Sequence, residues 1–321
     1  LNREIQDEME AMVDRAIHAE DLNGWMKSFI AARAEGDSIW SELTESTHGM
    51  LGGRSPHIIK AAALTELVML TLDIVDDLQD RDKGHRIWMT CPEAYTLNAV
   101  LAFLMMFMGE AGQLQWQTGR TMTPFLPEIS QWVLSAVNGQ QKDLNPHAHI
   151  ADEADYFKMV QLKSGSLIQL ACYLGYSLAE SSSAGLTGQI DELAACLGVV
   201  AQIENDVRNL EQLGPGNDIL QKKRTLPILY MLSQEQDGFP ELAQYYDGRL
   251  GAEDFIRQHK QACLQAIADS GCLEYAKIIQ ALYYDKAEQL FEAMPGPPYW
   301  KERFRRVTLD RYATASLRNN G

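Results

Sequence analysis

Apolar positions recur along most of this chain at three- and four-residue intervals, the period of a helix with one face turned inward. The pattern predicts helices over residues 2–19, 22–34, 37–49, 55–80, 92–113, 124–142, 150–180, 187–213, 224–236, 252–270, 274–293 and 300–315. Gly52-Gly53, Pro92, Pro124, Pro146, GPGND at 214–218 and MPGPP at 294–298 fall at the breaks, as helix-ending residues should. No hairpin signal interrupts the series. Segments 55–75, 99–108 and 164–178 are apolar on most faces, which suits helices inside a large bundle. No stretch has linker composition. The expectation is an all-α chain with one domain over 1–321, ending in a basic tail, KERFRRVTLDRYATASLRNNG, at 301–321.

One segment breaks the amphipathic pattern. In DIVDDLQDRDKGH (73–85), Asp73, Asp76, Asp77 and Asp80 share one face of an otherwise apolar helix. Like charges three and four apart each cost roughly 0.2–0.5 kcal/mol. The stripe is either an exposed charged face or a set of hard oxygen ligands for Mg²⁺ or Ca²⁺. On the metal reading, removing the cation leaves at least one of these carboxyls with a raised pKa. QIENDVRN (202–209) repeats the spacing as Asn205, Asp206 and Asn209, a polar face or a less charged ligand set. Lys163-Ser164 lies in the apolar VQLKSGSLIQLACYLGYSLA, as a solvated lysine or a buried phosphate partner. Lys222, Lys223 and Arg224 form either a charged helix start or a second such group.

Composition narrows the classes. A net charge of −16 argues against a nucleic-acid partner, because phosphate backbones select a surplus of Lys and Arg. Five scattered cysteines without CxxC spacing read as reduced thiols, with no zinc site. LNREIQDEMEAMVDRAI lacks a signal-peptide core, and the longest apolar run, 99–108, falls short of the roughly 20 residues that span a bilayer. A cytoplasmic protein with no transmembrane segment is expected.

Six segments in order, GGR (52–54), DDLQD (76–80), GQQKDL (139–144), KSGSL (163–167), QIENDVRN (202–209) and DILQKKRTLP (218–227), resemble the motifs of the trans-isoprenyl diphosphate synthases, the class I polyprenyl synthetases. The resemblance implies the isoprenoid synthase fold: a bundle of about a dozen helices around a deep central cavity, usually a homodimer, with the two acidic motifs facing each other at the cavity mouth. It implies up to three Mg²⁺ ions. Asp76 and Asp80 would hold two, with Asp77 in support, and Asn205 would hold the third within the Asn205, Asp206 and Asn209 set. Asp76, Asp77, Asp80 and Lys163 would be catalytic. Arg81, Lys163 and Lys223 would hold an allylic prenyl diphosphate, with Gln140, Asp143, Ser164, Gln202 and Asp218 ordering the ligands and Arg54 remaining from a second-substrate site. Leu67, Val68, Thr71 and Leu72, with Phe103, Met106 and Phe107, would wall the cavity or simply pack the core. Thr71 and Leu72 are not bulky aromatics, so a geranyl or farnesyl donor fits.

The departures from the family pattern are concentrated. The family's GGKRxRP is matched to GGRSPH (52–57), its RRG to RDKG (81–84) with Asp82 interposed, and a lysine expected ahead of Asp218 to Gly214. The donor site is kept and the isopentenyl diphosphate site is dismantled. Asp73, HRIWM (85–89) and GSLI (165–168) further resemble the ComQ family, enzymes that prenylate a tryptophan of a small competence-pheromone precursor peptide in quorum sensing. The alternative is a short-chain prenyl diphosphate synthase condensing an allylic diphosphate with isopentenyl diphosphate. A terpene cyclase is disfavoured by Leu213, which stands where its second metal motif has Glu, and a silent regulatory subunit is disfavoured by the intact DDLQD.

Overall fold

The computed structural model describes residues 1–80, 86–118, 125–180, 184–211, 217–234 and 239–313, and every regular element among them is helical. The first half of the chain forms α1 (Arg3–Ala16), α2 (Glu20–Glu35), α3 (Trp40–Met50), α4 (Ile58–Asp80), α5 (Ile87–Thr90), α6 (Glu93–Gln117), α7 (Phe125–Leu144), α8 (Pro146–His149) and α9 (Glu153–Val160). A π-helical turn, Gln161–Gly165, then leads into α10 (Ser166–Tyr176), and α11 (Ala184–Glu211) follows. The remainder forms α12 (Leu226–Ser233), α13 (Pro240–Tyr246), α14 (Ala252–Asp254), a second π turn (Phe255–His259), α15 (Lys260–Asp269), α16 (Cys272–Ala293), α17 (Pro298–Val307) and α18 (Leu309–Tyr312).

The expected helices recur with small shifts at their ends. Local chemistry sets several of those ends: the Asn2 side chain accepts from Glu4 N at 3.1 Å, and Asp152 accepts from Asp155 N at 3.0 Å. Proline opens α8, α13 and α17, where its missing N–H costs nothing. Helix α13 was not expected; seven residues are too few for a periodic signal. Much of the expected tail is helical, in α17 to Val307 and in α18, and ion-paired: Arg303 reaches Glu42 at 3.0 Å and Glu45 at 3.1 Å, and Arg311 reaches Asp37 at 2.8 Å.

The chain divides into two compact units. The first comprises Leu1–Val133, Leu167–Ala194 and Leu290–Gly321. Its spine is α4, packed by α1, α3 and α6. Every residue from Ala61 to Thr71 is buried, so the helix is enclosed all round over three turns. It emerges at its C-terminal end, where the aspartates stand. In the middle of its buried stretch, Glu66 is fully enclosed yet satisfied. Ser38 Oγ donates to both its oxygens, Ser41 N donates at 2.8 Å from the start of α3, and Arg33 Nε donates at 3.2 Å. A buried carboxylate is tolerable only with such a complement of charged and helix-terminal donors.

The second unit comprises Leu134–Ser166 and Ala195–Gln289. One apolar cluster joins Tyr156, Met159, Val199, Ile203, Leu226 and Ala276; another joins Ile219, Ile228, Tyr245, Phe255, Cys263 and Cys272. Helices α6 and α11 have the length and apolar composition of a membrane-crossing helix. The expectation from run length alone therefore understated them. In the first unit, Ala99, Phe103, Phe107, Ala111 and Leu114 of α6 are buried.

Candidate active site

The acidic stripe at the end of α4 is differentiated residue by residue. Asp73 accepts a close hydrogen bond from Arg33 Nη1. Desolvation nonetheless raises its pKa, with Asp76 and Glu66 adding repulsion and Arg33 opposing. Asp77 Oδ2 accepts from the indole Nε1 of buried Trp88 at 2.7 Å. Asp76 lines a cavity of about 430 Å³ together with Asp73 and Asp77, and Asp80 closes the helix.

No three His, Cys, Asp or Glu side chains among the described residues stand close enough to hold an ion by themselves. Magnesium does not require that. It keeps several waters and binds through one or two carboxylates plus substrate phosphates. Hard oxygen donors one helical turn apart, at the open end of α4, fit an ion that arrives with a diphosphate.

The second motif has a different character. Asp206 is buried, with Oδ2 accepting from Tyr156 OH at 2.6 Å and Oδ1 from Gln202 Nε2 at 2.8 Å. Burial pushes its pKa up to about 7, with the charge of Asp218 adding and both hydrogen bonds opposing. Gln202 Oε1 in turn accepts from Ser164 Oγ at 2.7 Å. Asn209 Oδ1 accepts from Asp218 N at 2.9 Å, and its carbonyl accepts from Asn217 Nδ2 at 2.6 Å. Asn205 is exposed. The second unit thus holds two hydrogen-bonded sets, Ser164–Gln202–Asp206 and Asn209–Asp218, with the charges of Asp206 and Asp218 acting on each other.

Beside those sets stands a cation cluster. Asp143, buried, lies 2.7 Å from Lys163 Nζ and 3.6 Å from Lys223 Nζ. Burial alone would raise its pKa, but the two ammonium groups outweigh it and hold the carboxyl below its ordinary value. Asp206 and Asp218 lie near enough to Asp143 to act on one another electrostatically, so the two ammonium groups stand among three carboxyl groups. The π turn aims Lys163 and Ser164, and two glycines let neighbouring helices close on it. A Cβ at Gly139 would lie 2.3 Å from Lys163 N, and one at Gly198 would lie 2.6 Å from Gly165 Cα. Wide turns of this kind are frequent at functional sites. Lys222, at φ 55°, turns the chain so that Lys223 N reaches Asp218 O at 2.8 Å.

Other expected residues are placed as follows. Leu67, Val68, Thr71, Phe103, Met106 and Phe107 are buried and Leu72 is half-buried; the 430 Å³ cavity is lined by other side chains. Gln140 is half-buried on α7. Arg54 is exposed on the turn after α3 and does not line that cavity. Arg81, with Asp82, Leu213 and Gly214, lies outside the described residues. Sequence reading missed Arg33, Asp37 and Trp40, which line the cavity from α2 and α3. Their signal was present in EGDSIW (35–40), a polar break between two helices, but nothing local ties it to a motif 36 residues on.

Comparison with known proteins closes the account. Residues 30–263 match the polyprenyl synthetase family model. The chain is similar to the tryptophan prenyltransferase ComQ of Bacillus subtilis subsp. natto (strain BEST195), 26% identical over 90% of this chain and 87% of that protein. It is also similar to a geranylfarnesyl diphosphate synthase of Aeropyrum pernix, 25% identical over 87% of this chain and 90% of that one. Among solved structures, the polyprenyl synthase of Caulobacter crescentus CB15 complexed with calcium and isoprenyl diphosphate superimposes with a TM-score of 0.74 at 22% identity, covering 95% of this chain and 91% of that one. The fold is the isoprenoid synthase fold, and the chain is a prenyltransferase belonging to the polyprenyl synthetase family.

Proposed function

We propose that this enzyme transfers a geranyl or farnesyl group from its diphosphate to a tryptophan of a small pheromone precursor peptide, with Mg²⁺ as cofactor. The observation that carries the donor half is the pair Lys163 and Lys223 around buried Asp143, together with the oxygen-donor stripe of α4. The acceptor half is supported by the similarity to tryptophan prenyltransferases over nine-tenths of the chain.

When bound, Mg²⁺ supplies electrophilic charge that makes the diphosphate a leaving group; Asp76 and Asp80 are the ligands proposed for it, with Asp77 in support and Asn205 for a third ion. Lys163 and Lys223 contact diphosphate oxygens and offset their charge. The allylic C–O bond breaks, with its electron pair departing on pyrophosphate. An electron-rich indole carbon forms the new C–C bond, and the charge left on the indole is discharged when a backbone nitrogen closes a ring and loses its proton. Preorganised donors of this kind each contribute about 3–4 kcal/mol to the rate, so no strong general base is needed. Asp206 and Asn209, whose oxygens accept internal hydrogen bonds, hold the second motif in shape.

Five free, buried cysteines support work in a reducing compartment such as the cytoplasm. Leu97, Leu101 and Met105 repeat every four residues along α6 and are 49%, 62% and 70% exposed, which supports a homodimer closing that stripe. The alternative, chain elongation with isopentenyl diphosphate, draws support from the Aeropyrum similarity. The deciding assay offers the enzyme Mg²⁺ and geranyl or farnesyl diphosphate with either a tryptophan-containing peptide or isopentenyl diphosphate, read by mass spectrometry. A prenylated peptide is expected; a lengthened prenyl diphosphate with unmodified peptide would establish the alternative.

A further inference from the structure

We infer that Trp88 is a positioning residue for the acidic stripe: its indole holds Asp77 to one flank as a charged carboxylate outside the ligand set, with Asp76 and Asp80 as the ligands. The inference rests on the proposed metal-assisted transfer and gives a task to the tryptophan that follows the acidic motif.

The helix itself sets the arrangement. Successive residues stand about 100° apart, so Asp80 lies about 40° round α4 from Asp76, whereas Asp77 lies about 100° from it. That turns Asp77 toward α5, where its Oδ2 accepts from Trp88 Nε1 at 2.7 Å. The donor is held rigidly. Trp88 is 3% exposed, its ring stands edge-on to Phe29 of α2 with centroids 6.1 Å apart, and its carbonyl accepts from Thr96 Oγ1 at 2.9 Å. Arg86 Cζ lies 5.6 Å from the centre of the same ring. Contacts from α2, from α6 and from the start of α5 therefore fix the indole, and a donor so fixed selects one orientation of the carboxylate it meets.

The chemistry of the donor matters. Asp73, one turn earlier, is held by Arg33, whose guanidinium offsets its charge. An indole N–H is neutral, so it orients Asp77 without cancelling its charge. The carboxylate then adds attraction for a cation without occupying a ligand position. Magnesium suits that division, since it takes one or two carboxylates and leaves the rest to waters and substrate phosphates. Released from Trp88, Asp77 could turn toward Asp76 and Asp80, crowding like charges before the ion arrives and competing for it afterwards. Partners that orient metal ligands from outside typically change affinity or activity about 10–100-fold when removed. Packing alone accounts for a buried indole, and its N–H then needs some acceptor. It does not require that the acceptor belong to the ion-binding stripe.

Calorimetry of the full chain with inorganic pyrophosphate, at a series of Mg²⁺ concentrations, tests the role without turnover. The wild type is expected to bind pyrophosphate in a Mg²⁺-dependent way that Asp80→Ala abolishes. Trp88→Phe keeps a ring and loses the N–H, and should raise the Mg²⁺ concentration for half-saturation about 10-fold. In an Asp77→Ala background the same change should add less than about 2-fold, because its route of action is gone. Asp77→Glu keeps the charge and sets it one methylene off the indole. It should raise the Mg²⁺ requirement by a similar factor, and it decides alone where melting curves show that Trp88→Phe has not folded. A wild-type Mg²⁺ requirement in the deciding variant overturns the inference. So does an undiminished penalty for Trp88→Phe in the Asp77→Ala background, which marks a packing role only. Pyrophosphate binding indifferent to Mg²⁺ or to Asp80→Ala instead defeats the metal assignment of the proposed transfer, and the positioning role falls with it.

Discussion

The two motifs share one spacing and differ in almost everything else. On α4 the carboxylates stand where a buried helix emerges, around a cavity, with Asp73 bonded to Arg33 and Asp77 to Trp88. On α11 positions 206 and 209 are drawn inward while Asn205 stays exposed: Asp206 is buried between Tyr156 and Gln202, and Asn209 fastens the turn at 217–218. An identical i, i+1, i+4 pattern therefore yields a cavity-side edge in one unit and an internal brace in the other. Charge is the discriminator. A carboxylate at 209 would stand against Asp218 and near buried Asp206, and the amide there avoids that cost.

The largest expected effect tests the α4 edge. Asp80→Ala should lower pyrophosphate release from the allylic diphosphate by roughly 10²–10³-fold while leaving the melting temperature within about a degree or two, since one half-buried side chain at the last residue of a helix contributes little stability. Unchanged turnover would remove Asp80 from the metal assignment. The α11 side should behave oppositely, losing fold and activity together. Gly139→Ala forces a methyl into Lys163 backbone, so a fall of about 2–4 kcal/mol is expected in urea unfolding, with turnover reduced as the π turn shifts. Lys163→Met leaves buried Asp143 with only the longer contact to Lys223, and about 2–3 kcal/mol should be lost; Asp143→Asn in the same chain should recover part of the stability and none of the activity.

A pH titration sharpens the contrast further. Asp206 titrates at about 7 in the fold against 3.8 as its reference value. Between those values the folded chain holds a proton that the unfolded chain has lost, so its contribution makes stability fall as pH rises through that window. In metal-free protein, Asp206→Asn should flatten this slope, measured by thermal melts from acidic to neutral pH. The smallest effect is expected from Trp88→Phe, which removes one donor from Asp77 while keeping the buried ring, at about 1 kcal/mol.

Much of this was legible in the chain because its signals are local. Helix periodicity placed the long elements, and the apolar run of α4 announced a buried spine that ends in acids. Lys163, Asp143 and Lys223 were each singled out, but their sharing of one buried carboxylate is a property of three elements meeting, and no spacing rule encodes it. The pocket residues Arg33, Asp37 and Trp40 escaped for a similar reason: they belong to a helix end and a turn that carry no motif of their own. The GGR at 52–54 drew attention by its letters, whereas Gly52 serves a left-handed turn at φ 70° and Gly53 lies against the His48 ring, leaving Arg54 outside the cavity.

The wide turn at 161–165 has an evolutionary corollary. It accommodates one residue more than a regular helical ring, so deleting a single residue there would let the segment relax into continuous α-helix. The helices on either side would keep their register, because the turn already absorbs the extra residue, while side chains within the turn would be re-aimed by up to about 100°. The lysine and serine would survive in the string of letters while pointing elsewhere, and a lineage could retire the enzyme without erasing any of its signature.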